Sequence, residues 1–291
     1  MNNTIQNDFL IFESCAYNAA PLKLNFIDED INYFWQAKDS NKPGVEVCFP
    51  LLGFLHENKY LYNGNEYKMG IHGFANGRDF TVRERGAYFI AYELCDDEDT
   101  YRQFPWKFNL LITYLLENNK LKTMYKVENW DNKEMYFSIG GHPRYSCPLT
   151  GEESFEDYYI EFEKAKSIEQ LVKSYCPEID VDNCFFDNGK KLGLNYGIFS
   201  EGCICFSADM EKIYLKNNKN NRGLFIEGGK ANYMQFWTRP GDPLIAIEPF
   251  FGAITSRPQK DIDTDWINKP GILRLMPGGT YSCAYSVMPL R

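Results

Sequence analysis

The sequence is poor in the residues that carry several common kinds of chemistry. It contains only three histidines, and its nine cysteines are scattered, with no Cys-x-x-Cys pair. Closely spaced cysteines are typical of structural zinc sites, and even sets of cysteines build the disulfide frameworks of secreted proteins. We therefore expect ordinary thiols in a reducing compartment, and neither a metal nor a cofactor.

Long apolar runs and clusters of basic residues are also lacking. The apolar runs are far shorter than the ~20 residues that span a bilayer, and residues 1–10 lack the basic start and apolar stretch of a signal peptide. The net charge is −9, without any Lys- or Arg-rich run. Because nucleic acid is bound through clustered cations, we do not expect it as a partner. We expect a cytoplasmic protein, a monomer or homodimer, that binds a small molecule and no membrane.

Apolar and aromatic residues are abundant instead, at 44% and 16% of the chain, and they suffice for a sizeable core. From about residue 45 onward, polar and apolar residues alternate with the period of half-buried strands. Three hairpins are predicted, over residues 60–67, 79–94 and 108–128, the first around an Asn-Gly turn. Further strands are predicted over 134–139, 157–163, 202–207, 211–216, 223–227, 232–238, 244–248 and 281–288.

Helical periodicity is scarce. The one predicted helix runs from Ile168 to Tyr175, after the capping residue Ser167 and before Pro177. Many strands joined by short turns favour antiparallel sheets packed face to face. We therefore predict an all-β sandwich in a single domain, residues 1–291, because neither a linker nor a repeat divides the chain.

Two of the three histidines lie in unusual settings. His142 follows an apolar strand and the pair Gly140-Gly141, whose lack of side chains lets the backbone turn or lets a ligand come close. His72 lies in the segment Ile71-His72-Gly73-Phe74. Each could offer an imidazole to a cleft or serve as a structural histidine, whereas His56, among charged residues, is expected in a solvated loop.

A carboxylate ends the apolar run from Leu244 to Ile247. We expect Glu248 to be partly desolvated, and burial raises the pKa of a carboxyl toward the range of a general base. Pro249 restricts Glu248 to an extended backbone and so fixes the direction of its side chain. A structural carboxylate paired with an arginine or with backbone amides is the alternative.

The segments around these residues resemble the aldose 1-epimerase family, the mutarotases, and within it the bacterial LacX-like branch. The resemblance implies a galactose-mutarotase-like β-supersandwich of antiparallel sheets, with a sugar cleft on one sheet. The matching stretches occur in the family's order and extend over most of the chain; they are Cys48-Phe49-Pro50-Leu51-Leu52-Gly53, Tyr67-Lys68-Met69-Gly70-Ile71-His72-Gly73-Phe74-Ala75, Ile139-Gly140-Gly141-His142-Pro143, Tyr158-Tyr159-Ile160-Glu161-Phe162 and Ile247-Glu248-Pro249-Phe250.

The resemblance also implies that the cleft interconverts the α- and β-anomers of a free aldohexose. Glu248 would be the general base that removes the proton of the C1 hydroxyl, and His142 the general acid that protonates the ring oxygen. The ring then opens, C1 rotates and the ring closes on the other face, while His72 holds the sugar near its ring oxygen. For this reaction Glu248 must be ionised and His142 protonated, which predicts a bell-shaped pH profile. A nearby carboxylate would help by raising the pKa of His142.

Two positions depart from the family's pattern. Family members commonly carry an arginine where this chain has Phe54, and an acidic residue in the strand where this chain has Gly202. Glu201 could serve as the acid after a shift of one residue. These departures concern the contacts with the sugar hydroxyls.

Other residues could supply what is missing. Arg78, or Arg144 beside His142, would provide a cation in place of the family's arginine. Trp237 and Phe250 would be aromatic platforms for the C–H face of a sugar, although most aromatic residues of a sandwich belong to its core.

Two further functions are compatible with the sequence. A hexose-6-phosphate 1-epimerase would need clustered cations near C6 of the sugar, and the sequence identifies no such cluster. A carbohydrate-binding homologue with weak turnover would be consistent with the two departures from the family's pattern.

Overall fold

The computed structural model describes residues 2–37, 47–166, 186–187, 189–200, 202–207, 212–255 and 266–291. One short α-helix, α1 (Glu98–Gln103), accompanies a large number of strands. In chain order the strands are β1 (Asn2–Gln6), β2 (Leu10–Cys15), β3 (Pro21–Phe26), β4 (Val47–Cys48), β5 (Lys59–Tyr62), β6 (Asn65–Lys68), β7 (Thr81–Arg85), β8 (Phe89–Cys95), β9 (Phe108–Glu117), β10 (Lys120–Asn129), β11 (Met135–Phe137), β12 (Ile139–Gly141), β13 (Arg144–Ser146), β14 (Tyr158–Phe162), β15 (Phe186–Asp187), β16 (Lys191–Gly193), β17 (Ile204–Ser207), β18 (Lys212–Asn217), β19 (Gly223–Glu227), β20 (Tyr233–Trp237), β21 (Leu244–Phe251), β22 (Leu273–Leu275) and β23 (Thr280–Leu290).

Two large antiparallel sheets dominate the fold. The larger has ten strands in the order β15-β16-β14-β18-β19-β23-β10-β9-β8-β7, and the smaller has the order β17-β20-β21-β12-β4, with β13 also paired to β21. Three small sheets, β1-β2-β3, β5-β6 and β11-β22, complete the described part. The predicted all-β architecture of antiparallel sheets, with very little helix, is confirmed.

The core lies between the two large sheets. The Phe162 ring of the ten-stranded sheet lies 5.7 Å from that of Phe206 and 6.1 Å from that of Phe236, both on the smaller sheet. These inward rings alternate along their strands with residues that face the other way, as the period of two requires. The opposite face of the smaller sheet is thus left to carry polar side chains.

The three hairpins predicted from the sequence are confirmed. The first turns at Asn63 and Gly64, both with positive φ, which is the geometry that an Asn-Gly hairpin turn requires. The predicted strand over 134–139 is divided into β11 and β12, because the strand is interrupted at Ser138. The hydroxyl of Ser138 donates a hydrogen bond to the Ala253 carbonyl at 2.8 Å.

The N-terminal sheet and the helix α1 were not expected. The alternation is recognisable only from about residue 45 onward, whereas β1, β2 and β3 precede that residue. The helix is capped at its N-terminus by Asp97, whose side chain accepts a hydrogen bond from the Thr100 amide at 2.7 Å. The predicted helix from Ile168 to Tyr175 lies outside the described residues.

No disulfide joins the cysteines of the described ranges. Within the same ranges, no helix has the length and apolar character needed to traverse a lipid bilayer.

Candidate active site

Strand register gathers five side chains on one face of the smaller sheet. Between β20 and β21, Gln235 lies opposite Glu248 and Trp237 opposite Ala246. On the other side of β21, Arg144 of β13 also lies opposite Ala246. Because residues two apart in a strand point to the same side, these five residues share one face.

His142 lies beside Glu248 in the interval between β12 and β13. Its Nε2 is 3.5 Å from Oε2 of Glu248, which is fully buried at 0% exposure. The glycines before it are required by packing: a Cβ on Gly140 would come within 2.5 Å of the Phe250 ring, and one on Gly141 within 2.9 Å of the Tyr125 hydroxyl. The two glycines therefore let protein side chains, rather than a ligand, approach the backbone.

A strained turn holds His72 against the same site. Its φ is +60°, a conformation that non-glycine residues rarely adopt. Its amide donates to the Gly53 carbonyl at 2.9 Å, and its Nδ1 accepts from the Gly53 amide at 3.2 Å. Since Nδ1 is an acceptor, neutral His72 carries its proton on Nε2.

The three candidate residues converge at one place. The rings of His72 and His142 lie 5.4 Å apart, nearly perpendicular at 84°. One ring nitrogen of each histidine and a carboxylate oxygen of Glu248 all lie within 4.8 Å of one another. Two imidazoles and a carboxylate can hold a divalent cation, and they are equally the groups that acid and base catalysis requires.

Several polar atoms at this site are buried without a hydrogen-bond partner. Gln235 donates from Nε2 to Oε2 of Glu248 at 2.9 Å, but Oε1 of both residues, Nδ1 of His142 and Nε of Arg144 have no partner. Buried polar atoms in native proteins are nearly always paired, because an unpaired one costs about 1–3 kcal/mol. Such a group of unsatisfied atoms indicates a binding site for a polar ligand.

Burial shifts the pKa values of the site in opposite directions. Desolvation raises the pKa of Glu248 from 4.5 to about 8, opposed by hydrogen bonding from Gln235 and by the charge of Arg144. Desolvation lowers the pKa of His142 well below 6.5, assisted by the neighbouring His72 and Arg144, and it lowers that of His72 to about 4. A carboxylate does lie beside His142, but the rise in pKa that would help the acid does not occur, because burial lowers the pKa instead.

The other predicted binding residues fall into two groups. Trp237 and Phe250 lie with the histidines: the Trp237 ring is 6.0 Å from that of His142, and the Phe250 ring, at 0% exposure, is 6.1 Å from that of His72. Arg78 has no contact with the two histidines or Glu248 in the described structure and is instead paired with the carboxylates of Asp97 and Asp99, with its guanidinium over the Phe74 ring.

The two departures from the family's pattern can also be located. Phe54 is 41% exposed, and its ring lies 6.5 Å from that of His72. Gly202 precedes β17, whose residue opposite Gln235 is the buried Cys205. An aromatic ring therefore borders the site where the family has an arginine, and the Cys205 side chain neighbours Gln235. Glu201, the alternative acid, lies outside the described residues.

Sequence reasoning missed Gln235. Its signal was a single amide within the apolar strand Tyr-Met-Gln-Phe-Trp, where a buried polar residue needs a partner. That partner, Glu248, is 13 residues away in sequence and is identified only by the register of β20 on β21.

Comparison with known proteins identifies the family of the chain. The family model described as aldose 1-epimerase matches residues 53–287. The chain belongs to the aldose 1-epimerase family. Among its relatives are the plasmid and chromosomal forms of protein LacX of Lactococcus lactis subsp. lactis, each 28% identical over 275 residues, with 89% of this chain and 90% of the relative covered.

Solved structures of aldose 1-epimerase relatives share the fold. A galactose mutarotase related enzyme from Lactobacillus acidophilus is 26% identical, with a TM-score of 0.87 over 99% of this chain and 97% of that one. A galactose mutarotase-like protein from Lactobacillus casei is 24% identical, with a TM-score of 0.86 over 99% of this chain and 100% of that one. The galactose-mutarotase-like fold predicted by resemblance is confirmed, and the family supports a sugar epimerase.

Proposed function

We propose that the cleft interconverts the α- and β-anomers of an aldohexose whose C1 is free. The observation that carries this proposal is the buried pair of Glu248 and His142, with Nε2 and Oε2 3.5 Å apart. A base and an acid at this spacing can reach the C1 hydroxyl and the adjacent ring oxygen of one sugar. Anomers already interconvert in water, so that a positioned acid and base, each worth roughly 100- to 10,000-fold, suffice for useful acceleration.

The reaction moves one proton at each end of the hemiacetal. Glu248 takes the proton of the C1 hydroxyl while His142 gives a proton to the ring oxygen, and the C1–O5 bond breaks to leave an aldehyde. Rotation about C1–C2 exposes the other face of the carbonyl to the C5 hydroxyl. The two proton transfers then run backward and give the opposite anomer.

Two residues have positioning roles in this scheme. The amide of Gln235 holds the Glu248 carboxylate through Oε2 and leaves Oε1 without a partner in the described structure, available for the sugar hydroxyl. His72, held through Nδ1 by the Gly53 amide, presents an N–H donor beside His142. That donor would hydrogen-bond the sugar near its ring oxygen.

The pair must share one proton to be active. With the pKa of Glu248 raised to about 8 and that of His142 lowered, the pair at neutral pH carries its proton on Glu248. The reactive form, with Glu248 ionised and His142 protonated, differs only by transfer of that proton within the pair. The sugar's hydroxyls would stabilise this form by hydrogen-bonding the carboxylate.

Polarimetry on freshly dissolved α-glucose and α-galactose tests the proposal. We expect the protein to accelerate mutarotation, and the Glu248→Gln and His142→Ala variants each to lose roughly 100-fold or more. Glu161→Gln, which removes a carboxylate paired with Lys216 on the other sheet, is the matched control and should retain the wild-type rate.

Near-normal rates for Glu248→Gln would remove this mechanism. Sugar binding without faster mutarotation by the wild-type protein would instead identify a carbohydrate-binding homologue. The feature that supports this second function is Phe54, which lies beside His72 in place of the family's arginine.

A further inference from the structure

Arg144 is exceptional among the described arginines. Its guanidinium lies 5.8 Å from the centre of the Trp237 ring, and no ion pair or hydrogen bond joins its side chain to any described residue. The other described arginines each bind an oxygen of this chain; they are Arg78, Arg83, Arg85, Arg102, Arg222, Arg239, Arg274 and Arg291.

The position of Arg144 places its charge at the candidate active site. It lies two residues after His142 and directly opposite Ala246, which has Trp237 on its other side. The guanidinium and the indole therefore lie over the small side chain of Ala246, on the face of the sheet that carries Glu248. The Nε of Arg144 is nevertheless buried without a hydrogen-bond partner.

The electrostatics of the site confirm that this charge acts within it. After burial and the neighbouring His72, the charge of Arg144 further lowers the pKa of His142, and it opposes the burial that raises the pKa of Glu248. A Glu248–His142 pair that shares one proton has no net charge. Arg144 thus contributes a positive charge that no carboxylate of the described residues pairs, on a protein whose net charge is −9.

We propose that Arg144 binds a carboxylate of the substrate, so that the preferred substrate is an aldohexuronate, a hexose whose C6 is a carboxylate. This inference rests on the proposed function, which places C1 at Glu248 and the ring oxygen at His142. C6 is attached to C5, the ring carbon on the other side of that oxygen. C6 therefore lies on the His142 side of the sugar, toward Arg144.

The form of the cation favours a carboxylate over a phosphate. A planar guanidinium matches one carboxylate with two parallel hydrogen bonds. A phosphate dianion carries more charge and usually draws several cations, whereas Arg78 is committed to Asp97 and Asp99. Among the described residues with contacts to the Glu248–His142 pair or to Trp237, Arg144 is the only lysine or arginine.

The test compares kcat/KM for the anomers of glucose, glucuronate and glucose 6-phosphate at pH 7 and low salt, by exchange NMR. We expect glucuronate to exceed glucose by roughly 10- to 100-fold, the size of a charge-assisted hydrogen-bond pair. Arg144→Gln should lower the ratio of glucuronate to glucose at least 10-fold, with Arg144→Lys between the two. Arg83→Gln, which removes an exposed arginine paired with Glu93, changes the net charge equally and should keep the wild-type ratio.

Two outcomes would overturn the inference. Equal losses on glucose and glucuronate in Arg144→Gln, together with a displaced pH profile, would show that Arg144 acts through His142 and Glu248. A preference for glucose 6-phosphate over glucuronate would assign the charge to a phosphate subsite.

Binding separates this inference from the proposed function. Methyl β-glucuronide cannot open its ring, so calorimetric titration with it reports the carboxylate contact alone. Affinity that exceeds that of methyl β-glucoside and is lost in Arg144→Gln would support the subsite even if the wild-type protein accelerated no anomer exchange. Equal affinities for the two glycosides would refute the subsite even if mutarotation were fast.

Discussion

At the scale of single residues, the cleft depends on two ionisable groups whose burial moves their pKa values apart. An unperturbed pair with pKa values of 4.5 and 6.5 would hold a single proton only between those limits. Burial disfavours the carboxylate and the imidazolium alike, so the upper limit becomes the pKa of Glu248, about 8, and the lower limit becomes the pKa of His142, well below 6.5. The interval then includes neutral pH.

The pH dependence of kcat/KM should reflect these two limits. As the pH rises through about 8, the pair loses its proton and the rate should fall. As the pH falls well below 6.5, the pair gains a second proton and the rate should fall again. Polarimetric rates between pH 4 and 10 test this bell shape, and an alkaline limb at pH 6.5 or below would contradict it. Both limbs belong to the coupled pair rather than to one residue.

Gln235 should tune the alkaline limb. Its Nε2 donates to the Glu248 carboxylate and so lowers the pKa that burial raises. Gln235→Leu should therefore move the alkaline limb upward by roughly one pH unit or more, with a lower maximal rate because the carboxylate is no longer held.

The control for this prediction is Gln6→Leu, at an exposed position of β1. It should leave the profile unchanged. A Gln235→Leu profile that coincides with that of the wild type would show that the hydrogen bond to Glu248 does not act on the reaction.

The sequence identified the acid and base candidates but not all of their surroundings. His142 and Glu248 stand out because a rare histidine follows paired glycines and a carboxylate ends an apolar run. The direction of the His142 shift was not predictable, since it depends on the depth of burial, which a linear pattern does not contain. Gln235 became recognisable only through the pairing of β20 with β21.

At the scale of local elements, the turn that carries His72 is fixed by Gly73. This glycine has a φ of +79°, and a Cβ on it would lie 2.2 Å from the Phe49 carbonyl oxygen. The close approach keeps Phe49 bonded to both sides of the turn: its amide donates to the His72 carbonyl at 3.1 Å, and its carbonyl accepts from the Phe74 amide at 3.0 Å.

Gly73→Ala should therefore destabilise the protein more than Gly77→Ala. Gly77 has a similar φ of +89°, but no atom lies within 4 Å of the place of its Cβ. A left-handed conformation alone costs roughly 1–2 kcal/mol for an alanine, and the loss at Gly73 should exceed this because the backbone must also move. Urea unfolding of the two variants gives their free energies of unfolding and tests this difference.

Activity gives a second measure of the same turn. Gly73→Ala should lower the mutarotation rate by displacing His72, whereas Gly77→Ala should not. Equal losses of stability in the two variants would show that the turn tolerates a Cβ.

Elements were predictable where local chemistry decides them. The hairpin at Asn63-Gly64 follows from its turn residues, and the strands of 108–128 follow from their alternation. The strand β1 was missed because its sequence, Asn-Asn-Thr-Ile-Gln, is polar apart from Ile5 and is stabilised by pairing with β2. The helix α1 was missed because six residues are too few to show a helical period.

At the scale of the whole molecule, the N-terminal sheet packs against the ten-stranded sheet. The rings of Phe12 and Tyr114 lie 4.8 Å apart, and the Tyr114 hydroxyl donates to the Ala19 carbonyl at 2.7 Å. The hydroxyls of Ser14 and Tyr92 lie at hydrogen-bond distance, 2.8 Å, in a buried setting. Breaking these contacts would expose buried polar groups on both sheets.

We therefore predict that the N-terminal sheet unfolds together with the ten-stranded sheet, in a single transition. Far-ultraviolet circular dichroism follows all the sheets, whereas the fluorescence that a Phe12→Trp variant adds to that of the five native tryptophans follows the N-terminal contact with Tyr114. Coincident urea midpoints for the two probes are expected. An earlier midpoint for fluorescence would indicate that the N-terminal sheet separates first.

The burial of Glu248 and His142 has a consequence for the order of energetic costs in the proposed reaction. When a pyranose opens, Glu248 gains a proton and His142 loses one, which is the arrangement that burial already favours in the pair by itself. The resting protein thus matches the acyclic aldehyde, the halfway point of the reaction, rather than either cyclic form. The main electrostatic cost is therefore the transfer of one proton from Glu248 to His142 as the cyclic sugar binds. Ring opening returns a proton to Glu248 and so recovers the cost.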